Sequence, residues 1–366
     1  MKSRVELLCE KLSKNNLDSI VITDLNNVRY FSSFSGTSAY LVISKKKRYL
    51  VTDFRYTEQA SIQCDGFEII DYKKSDIKDL VADFKYTGFE NESISYRDYV
   101  KFSSVFKNLV GVNNLLGTLR EIKDNEEVKC IKKAVEIADD AFSHIVKYMK
   151  VGMSEKQIAD ELEFFMRRNG AERLSFDSIV ASGIRGAMPH GYPTDKCLEN
   201  GELVVLDFGC FYNGYASDMT RTVAVGNISD KLIDMYNTTL NAQLAAIDNI
   251  SAGKTCMDIH NIAQGIIDKK YPEAFGHALG HGVGLEIHEM PTVHHKSEKI
   301  LKENNVISVE PGIYIPSVGG ARIEDLVLIT KNGCDVLTKS TKKLIYIWYM
   351  GWIFYTYSVK YNGNNV

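Results

Sequence analysis

The stretch that most constrains the fold is residues 203–225, which reads as two apolar β-strands separated by Asn213-Gly214. An Asn-Gly pair supplies the positive φ angles that a two-residue hairpin turn needs. With the turn placed there, Tyr212 faces Tyr215. This turn sets which residues of the two strands lie opposite each other. A shift of one residue would turn every side chain to the opposite face of the hairpin.

Two aspartates fall on one face of this predicted hairpin. Gly209 lies opposite Asp218, and Asp207 points to the same face because it is two residues from Gly209. Asp207 and Asp218 are then diagonal neighbours, with backbones roughly 7–8 Å apart. Two carboxylates this close repel each other unless a cation lies between them, and divalent metal ions are natural partners. An exposed hairpin with two solvated aspartates is the alternative that this stretch alone leaves open.

A second acidic pair is predicted by the same reasoning. Glu310 and Glu324 lie on two further strand-like runs, which are joined by the sequence IPSVGG. A turn centred on Ser317 places the two glutamates directly opposite each other on one face of a second hairpin. The chain therefore presents two hairpins, each with a pair of carboxylates.

A glycine-rich segment, residues 275–291, lies between the two hairpins and carries His277, His281 and His288. Its glycines disfavour a regular helix and allow backbone to approach a site closely. Four carboxylates and one histidine are about the ligand set that two divalent ions with a preference for oxygen and nitrogen require.

Composition excludes several classes of function. The 366 residues are 45% hydrophobic and 25% charged, which is ordinary for a globular protein and sufficient for two domains. The net charge of −3 gives no long-range attraction to nucleic acid or to anionic membranes. The chain starts with an amphipathic helix pattern (Val5, Leu8 and Leu12) instead of a signal peptide, and its seven cysteines show no metal-binding spacing. A reduced, cytoplasmic protein is expected.

The remaining sequence predicts an α/β domain over residues 1–120, with a hairpin turn at Lys45–Lys47 and a helix over residues 77–84. Helices at 125–150 and 154–170 are predicted to follow it. Ser154 is the predicted N-cap of the second helix and Gly170 its end.

Two more helices are predicted at 230–250 and 256–270. Cys210 is interpreted as a core residue and His260 as an ordinary surface or core histidine. The uncharged aromatic run at 344–358 is too short for a membrane span, which needs about 20 apolar residues. It predicts an extra strand, a contact with a partner chain, or an aggregation-prone segment if exposed.

Five motifs, in this order along the chain, resemble a known family: PHG, LDFGCFYNGYASDMTRT, GHALGHGVGLEIHE, VEPGIY and ARIED. Together they resemble the pita-bread metallopeptidases of the Xaa-Pro type, aminopeptidase P and prolidase. The sequence NVRYFSSFSGTSAYLVI resembles the creatinase-type domain that accompanies them. The resemblance implies an α+β fold, with a creatinase-type domain at 1–120, a pita-bread catalytic domain at 121–345 and an aromatic tail of unknown role at 346–366.

The resemblance also implies a centre of two divalent ions. The implied ligands are Asp207, Asp218, His281, Glu310 and Glu324, with Asp218 and Glu324 bridging the ions. The four acids among them are those that the two hairpins select. Manganese is the expected metal, while cobalt, zinc and iron also suit such an oxygen-rich site.

Further residues acquire roles through the resemblance. His190, His277 and His288 match histidines that line the substrate site, and Glu310 is expected to carry a proton from the nucleophile to the leaving nitrogen. His277 and His288 are expected to donate hydrogen bonds to an oxyanion. Arg322 is expected to orient a ligating carboxylate from the strand face that it shares with Glu324.

The implied activity is removal of the N-terminal residue from peptides with proline in the second position, by a likewise implied homodimer. Hydrolysis of Xaa-Pro dipeptides alone is the alternative, and a non-catalytic peptide-binding module of the same fold is a third. A His-Glu-x-x-His peptidase is excluded, because His294 comes two residues too late after His288 and Pro291 prevents the required helix. A dinucleotide site is disfavoured because the glycines at 276–284 precede a strand.

Overall fold

The protein is described by a computed structural model over residues 3–348. The chain divides into two compact units, Met1–Arg120 and Glu121–Val366. Over the described range, no helix combines the length and the apolar character needed to cross a bilayer.

The first unit is built on a mixed six-stranded sheet, with strand order β4-β3-β2-β1-β5-β6. Its strands are β1 (Ser19–Ile22), β2 (Tyr40–Ser44), β3 (Arg48–Thr52), β4 (Glu68–Asp71), β5 (Thr87–Glu90) and β6 (Leu109–Val112). Its helices are α1 (Arg4–Lys14), α2 (Leu25–Ser32), α3 (Thr57–Gln63), α4 (Ile77–Leu80), α5 (Tyr96–Ser103) and α6 (Gly117–Arg120). The predicted α/β character is confirmed, including the amphipathic first helix and the β2–β3 hairpin.

The helix predicted from residue 77 onwards is shorter than its sequence pattern suggests. α4 ends at Leu80, and Val81 and Phe84 enter the core of the first unit instead of continuing the helix. Burial of these two apolar side chains outweighs the local helical preference, which is weak for so short a segment.

The second unit combines four long helices with several small sheets. Its helices are α7 (Asn125–Tyr148), α8 (Glu155–Arg168), α9 (Asp230–Asp248) and α10 (Cys256–Asp268), with a short 3₁₀ helix at Gly183–Ala187. Its strands are β7 (Arg173–Leu174), β8 (Ile179–Ser182), β9 (Glu202–Phe208), β10 (Cys210–Tyr212), β11 (Tyr215–Ala216), β12 (Met219–Val225), β13 (Gly280–Gly282), β14 (Glu289–Val293), β15 (Val306–Val309), β16 (Gly312–Ile315), β17 (Gly319–Arg322), β18 (Asp325–Ile329), β19 (Cys334–Val336) and β20 (Tyr346–Ile347).

The four long helices match the four that the sequence predicts. α8 starts after Ser154, whose side chain accepts from the Gln157 amide in a reciprocal capping box. Gly170 follows the helix with a φ of 104°, a conformation that favours glycine. His260 on α10 is buried and accepts the Leu279 amide through Nδ1, so it is a core histidine.

The first predicted hairpin is confirmed in register. Tyr212 pairs with Tyr215 around Asn213 and Gly214, whose φ angles are 47° and 78°. Each predicted strand is divided into two pieces, β9 and β10 before the turn and β11 and β12 after it. Cys210 is fully buried in the core beneath this hairpin, as predicted.

The second predicted hairpin is also confirmed in register. Ile315 pairs with Gly319 around Ser317, which has a φ of 65°. The same register continues beyond a break, where Val309 pairs with Asp325. Each side of this hairpin is again divided into two strands, β15 and β16 on one side and β17 and β18 on the other.

The aromatic run near the C-terminus begins with a strand. β20 pairs in parallel with β12, with Ala224 beside Tyr346 and Val225 beside Ile347. Ile347 is buried in the core of the second unit. The start of the run therefore packs on its own chain, and residues 349–358 lie outside the described residues.

A buried ion pair lies between β12 and β18. The Arg221 guanidinium donates to the Asp325 carboxylate at 2.7 Å, and the two side chains are 1% and 0% exposed. Arg221 also donates to the carbonyl of Glu324, while Asp325 accepts from Gln243 and Lys342. This network attaches the end of the second hairpin to the first.

We expect Arg221→Met to lower the free energy of unfolding by about 3–5 kcal/mol, because it leaves the Asp325 charge buried without its main partner. Urea unfolding followed by circular dichroism measures the loss. Lys129→Met is the matched control, since Lys129 and Glu126 form an exposed pair and such pairs contribute about 0–1 kcal/mol. Equal losses in the two variants would contradict the prediction.

Candidate metal centre

Three of the five candidate ligands lie at the interruptions of the two hairpins. Asp218 lies between β11 and β12, Glu310 between β15 and β16, and Glu324 between β17 and β18, while Asp207 is close to the end of β9. Within a continuous strand, side chains alternate between the two faces of the sheet. A carboxylate at a break between two strands is not restricted by this alternation.

Two glycines permit the close backbone contacts around these interruptions. A Cβ on Gly209 would lie 2.0 Å from the Ser217 carbonyl oxygen, next to Asp218. A Cβ on Gly280 would lie 2.0 Å from the Ser308 carbonyl oxygen, next to His281 on β13. Any larger residue would force these chains apart and displace the neighbouring acid or imidazole.

Asp218, His281 and Glu324 form the most compact set, since each offers a ligand atom within 4.8 Å of the others. His281 Nε2 lies 3.6 Å from an Asp218 oxygen and 3.2 Å from a Glu310 oxygen. His281 Nδ1 lies 3.1 Å from its hydrogen-bond partner, the Gly282 carbonyl oxygen, which directs Nε2 toward the acids.

His281 and Glu310 shift each other's pKa values. Burial lowers the pKa of the His281 imidazole, but the hydrogen bond with Glu310 and the charges of Glu310 and Asp218 outweigh it and raise the pKa to about 9. Burial raises the pKa of Glu310, but the same hydrogen bond and the His281 charge lower it to about 2. Protonated His281 thus supplies part of the positive charge that a bound cation would supply. Metal binding would release this proton, because a ligating imidazole is neutral.

The remaining acids are crowded by like charges. Burial, then the charge of Asp207, raises the pKa of Asp218 well above its usual value, and burial and the charge of Asp218 do the same for Glu324. The pKa of Asp207 is raised by burial and by Glu310, with Arg322 acting in the opposite direction. Each shift shows that one more positive charge would stabilise the ionised forms.

Two carboxylate oxygens in this cluster lack a partner. Among the buried side-chain atoms of residues 3–348, Asp207 Oδ1 and Glu324 Oε1 accept no hydrogen bond. Their companion oxygens are held, since Arg322 Nη2 donates to Asp207 at 2.6 Å and Thr220 donates to Glu324 at 2.8 Å. Buried carboxylate oxygens with no protein donor fit metal ligation, and the oxygen-rich donor set fits a divalent ion.

Three histidines adjoin the acids. The His288 ring meets the His281 ring edge to face, with centroids 4.4 Å apart. Burial and then neighbouring charges, including that of His190, lower the pKa values of His277 and His288. His190 itself is exposed, in the segment after β8. The structure therefore brings the three predicted histidines to the same region as the acids.

Both ring nitrogens of His277 already have protein partners. Nδ1 lies 2.7 Å from the Ala278 carbonyl oxygen, and Nε2 lies 2.9 Å from the Tyr314 hydroxyl. The Tyr314 hydroxyl also accepts from Arg322 Nη1 at 2.7 Å, so its own proton is directed to His277. His277 therefore reaches an oxyanion only after giving up one of these bonds, unlike the role expected from the resemblance.

Sequence reasoning missed several polar neighbours of the cluster. Tyr314 links His277 to Arg322, Thr220 holds Glu324, and Ser308 donates to Glu310 at 3.1 Å. Thr220 was accessible from the sequence, because the hairpin register pairs it with Asp207. Tyr314 and Ser308 offered no signal beyond their positions in apolar strands.

Comparisons with known proteins agree with this geometry. The sequence profile of metallopeptidase family M24 matches residues 129–331, and that of the creatinase/prolidase N-terminal domain matches residues 4–122. The chain belongs to metallopeptidase family M24. The predicted two-domain pita-bread architecture and the metal-dependent hydrolase class are thereby confirmed.

Similar members of M24 carry names of Xaa-Pro peptidases. The Xaa-Pro dipeptidase of Pyrococcus furiosus is 40% identical over 349 residues, covering 94% of this chain and 100% of that protein. The structure of an Xaa-Pro dipeptidase from Bacillus anthracis is 43% identical, with a TM-score of 0.91 over 94% of this chain and 99% of its own. An X-Pro aminopeptidase structure from Thermotoga maritima is 38% identical, with a TM-score of 0.86 over 92% of this chain and 100% of its own.

We expect Glu324→Gln to stabilise the metal-free protein and to remove its stabilisation by metal. The raised pKa of Glu324 means that its ionisation costs more free energy in the folded protein than in the unfolded chain. The protein therefore loses stability as pH rises from the unfolded-state pKa of about 4.3 towards the raised folded-state pKa. At pH 7.5 in chelator, Tm should rise by about 2–4 °C per kcal/mol of relieved repulsion.

Differential scanning calorimetry with and without Mn²⁺ tests both parts of this prediction. Wild type should gain about 2.7 kcal/mol at a metal concentration of 100 Kd, and Glu324→Gln far less. Glu303→Gln, at an exposed position, is the matched control and should behave as wild type. An unchanged metal response in Glu324→Gln would remove Glu324 from the ligand set.

Proposed function

We propose that the chain is a dinuclear metallopeptidase that hydrolyses Xaa-Pro dipeptides. The observation that carries the proposal is the convergence of four carboxylates, three of them buried, and one imidazole, with two carboxylate oxygens unpartnered within the described residues. The proposed ligands are Asp207, Asp218, His281, Glu310 and Glu324. Manganese is the proposed metal.

Divalent ions at such a site supply Lewis acidity, which lowers the pKa of water and polarises a carbonyl group. Glu310 is the proposed proton carrier from the attacking water to the leaving nitrogen. Its carboxylate is held by Ser308 and His281, which fixes its position for proton transfer. The leaving nitrogen needs that proton because an amide anion is too basic to depart, and the proline nitrogen of an Xaa-Pro bond carries no N–H of its own.

The histidines take different roles in this proposal. His288 is the proposed donor to the oxyanion, because its ring adjoins the ligand His281. His277 supports the centre through Tyr314 and Arg322. His190, which is exposed, contacts the substrate.

Dipeptide hydrolysis is favoured over release of an N-terminal residue from longer peptides. Both the Pyrococcus and the Bacillus relatives described above are named Xaa-Pro dipeptidases. Release of an N-terminal residue from longer peptides stays the alternative, because the Thermotoga protein is named an X-Pro aminopeptidase. A non-catalytic module is disfavoured because every proposed ligand is retained. A homodimer and a cytoplasmic location stay predictions.

We expect metal-stripped protein to regain cleavage of an Xaa-Pro dipeptide when Mn²⁺ is added, and to cleave the matching Xaa-Pro-Xaa tripeptide far more slowly. Release of the free N-terminal residue, followed by chromatography, measures both reactions. Equal or faster cleavage of the tripeptide would establish the aminopeptidase alternative. Stoichiometric metal binding without cleavage of either peptide would favour the non-catalytic module.

We expect Glu310→Gln to lower kcat/KM for the dipeptide by about 10²–10⁴, the usual contribution of a positioned acid–base group. Circular dichroism should show a folded protein, and Glu303→Gln should retain wild-type activity. Activity within tenfold of wild type in Glu310→Gln would rule out the proton-carrier role.

A further inference from the structure

The segment 183–194, which carries His190, has little apolar packing of its own. The side chains of Ile184, Met188 and Tyr192 are 62%, 45% and 64% exposed. A segment whose large apolar residues face solvent gains little from burial, so its conformation depends on polar contacts.

One buried carboxylate holds both ends of this segment. Glu155, the first residue of α8, is fully buried. At one end, its Oε1 accepts the amide and the hydroxyl of Ser182, each at 2.8 Å. At the other end, its Oε2 accepts the amide of Thr194 at 2.9 Å and the hydroxyl at 2.7 Å.

A guanidinium inside the segment completes the anchor. Arg185 Nε donates to both oxygens of Glu155, at 3.2 and 3.0 Å. Arg185 Nη2 also donates to the Tyr192 carbonyl and so joins the two arms of the segment. Every hydrogen-bonding direction of the carboxylate is used within the segment or at its ends, which is the arrangement that makes a buried charge specify one conformation.

The tip of the segment is tied to the metal-ligand cluster by a separate contact. Arg322 Nη1 donates to the carbonyl of Pro189, the residue before His190, at 3.1 Å, and Arg322 Nη2 donates to Asp207. The base of the segment is therefore fixed by Glu155 and its tip by Arg322. Both anchors therefore bear on the position of His190.

We propose that Glu155 is a positioning residue that fixes the segment 183–194 and thereby holds His190 against the substrate. The proposal rests on the proposed function for the substrate contact, but the fixing of the segment is independent of it. Glu155 touches no reacting atom, so its effect should pass through His190. A displacement of about 1 Å at such a residue can cost up to about a hundredfold in rate.

Glu155→Gln tests the proposal, since the amide keeps the volume but replaces an acceptor oxygen with a donor. In hydrogen exchange on the Mn²⁺-loaded full chain, amides in 183–194 should exchange at least tenfold faster, with the rest of the second unit unchanged. The imidazole NMR signals of His190, assigned by their loss in His190→Ala, should broaden. Asp160→Asn, at an exposed position of the same helix, is the matched control and should change neither readout.

A kinetic cycle with an Xaa-Pro dipeptide separates positioning from a general structural role. Glu155→Gln should lower kcat/KM about tenfold, chiefly by raising KM, with unchanged Mn²⁺ affinity. In the His190→Ala background it should lower kcat/KM by less than twofold, because the residue it positions is gone.

Several outcomes would overturn the proposal. These are unchanged exchange in 183–194, faster exchange throughout the second unit, or losses that multiply fully in the double variant. If Glu155→Gln does not fold, Thr194→Val removes a single hydroxyl donor from the same anchor and should give a smaller effect of the same kind. If wild type cleaves no Xaa-Pro peptide, the proposed function fails, while the exchange and NMR results still decide whether Glu155 fixes the segment.

Discussion

The second unit depends on how it tolerates several negative charges in one buried place. An unpaired buried carboxylate is among the costliest groups that a fold can contain. Here Arg322 offsets Asp207 and His281 offsets Glu310, but Asp218 and Glu324 keep strongly raised pKa values. The positively charged side chains therefore neutralise only part of the negative charge of the acids, and a bound divalent ion is the simplest way to neutralise the rest. Repulsion between these acids lowers the stability of the metal-free protein. A bound metal ion relieves that repulsion, and the relief contributes to the affinity for metal.

Much of this centre follows from strand register, which is why it could be predicted from the sequence. Once the Asn213-Gly214 turn was placed, the opposition of Tyr212 and Tyr215 and the common face of the first acidic pair followed without knowledge of the rest of the chain. The turn at Ser317 gave the second pair in the same way. The chemistry of paired carboxylates also predicts divalent metal at these acids, while the choice of His281 as the ligand, the bridging roles and the histidine roles in the substrate site are what the family resemblance implies.

Most of the contacts that sequence reasoning missed join residues far apart in the chain. The hydrogen bond from Thr220 to Glu324 and that from Arg322 to the Pro189 carbonyl each join separate supersecondary structures, and no local pattern encodes them. The hydrogen bond between His277 and Tyr314 could not be predicted either. Strand alternation indicates which face of the sheet a side chain lies on, but not which residue it contacts. Helix ends were predictable where a capping residue marked the start, as at Ser154, and less so in the first unit, where core burial ended α4 early.

The site divides into a rigid part and an anchored part. Three of the acids lie at interruptions of strands whose ladders continue on both sides, and Asp207 lies within β9, so backbone hydrogen bonds fix them. The proposed substrate-site histidines His190 and His288 lie outside those ladders, and buried charges hold the segments that carry them. Glu155 does so for His190, and beside His288 the Glu289 carboxylate accepts from Lys123 at 3.0 Å, with both side chains almost fully buried. A buried ion pair adds little net stability but strongly disfavours other conformations, because any rearrangement would strand a charge. Anchors of this kind suit residues that must keep one orientation in segments without a strand ladder to hold them.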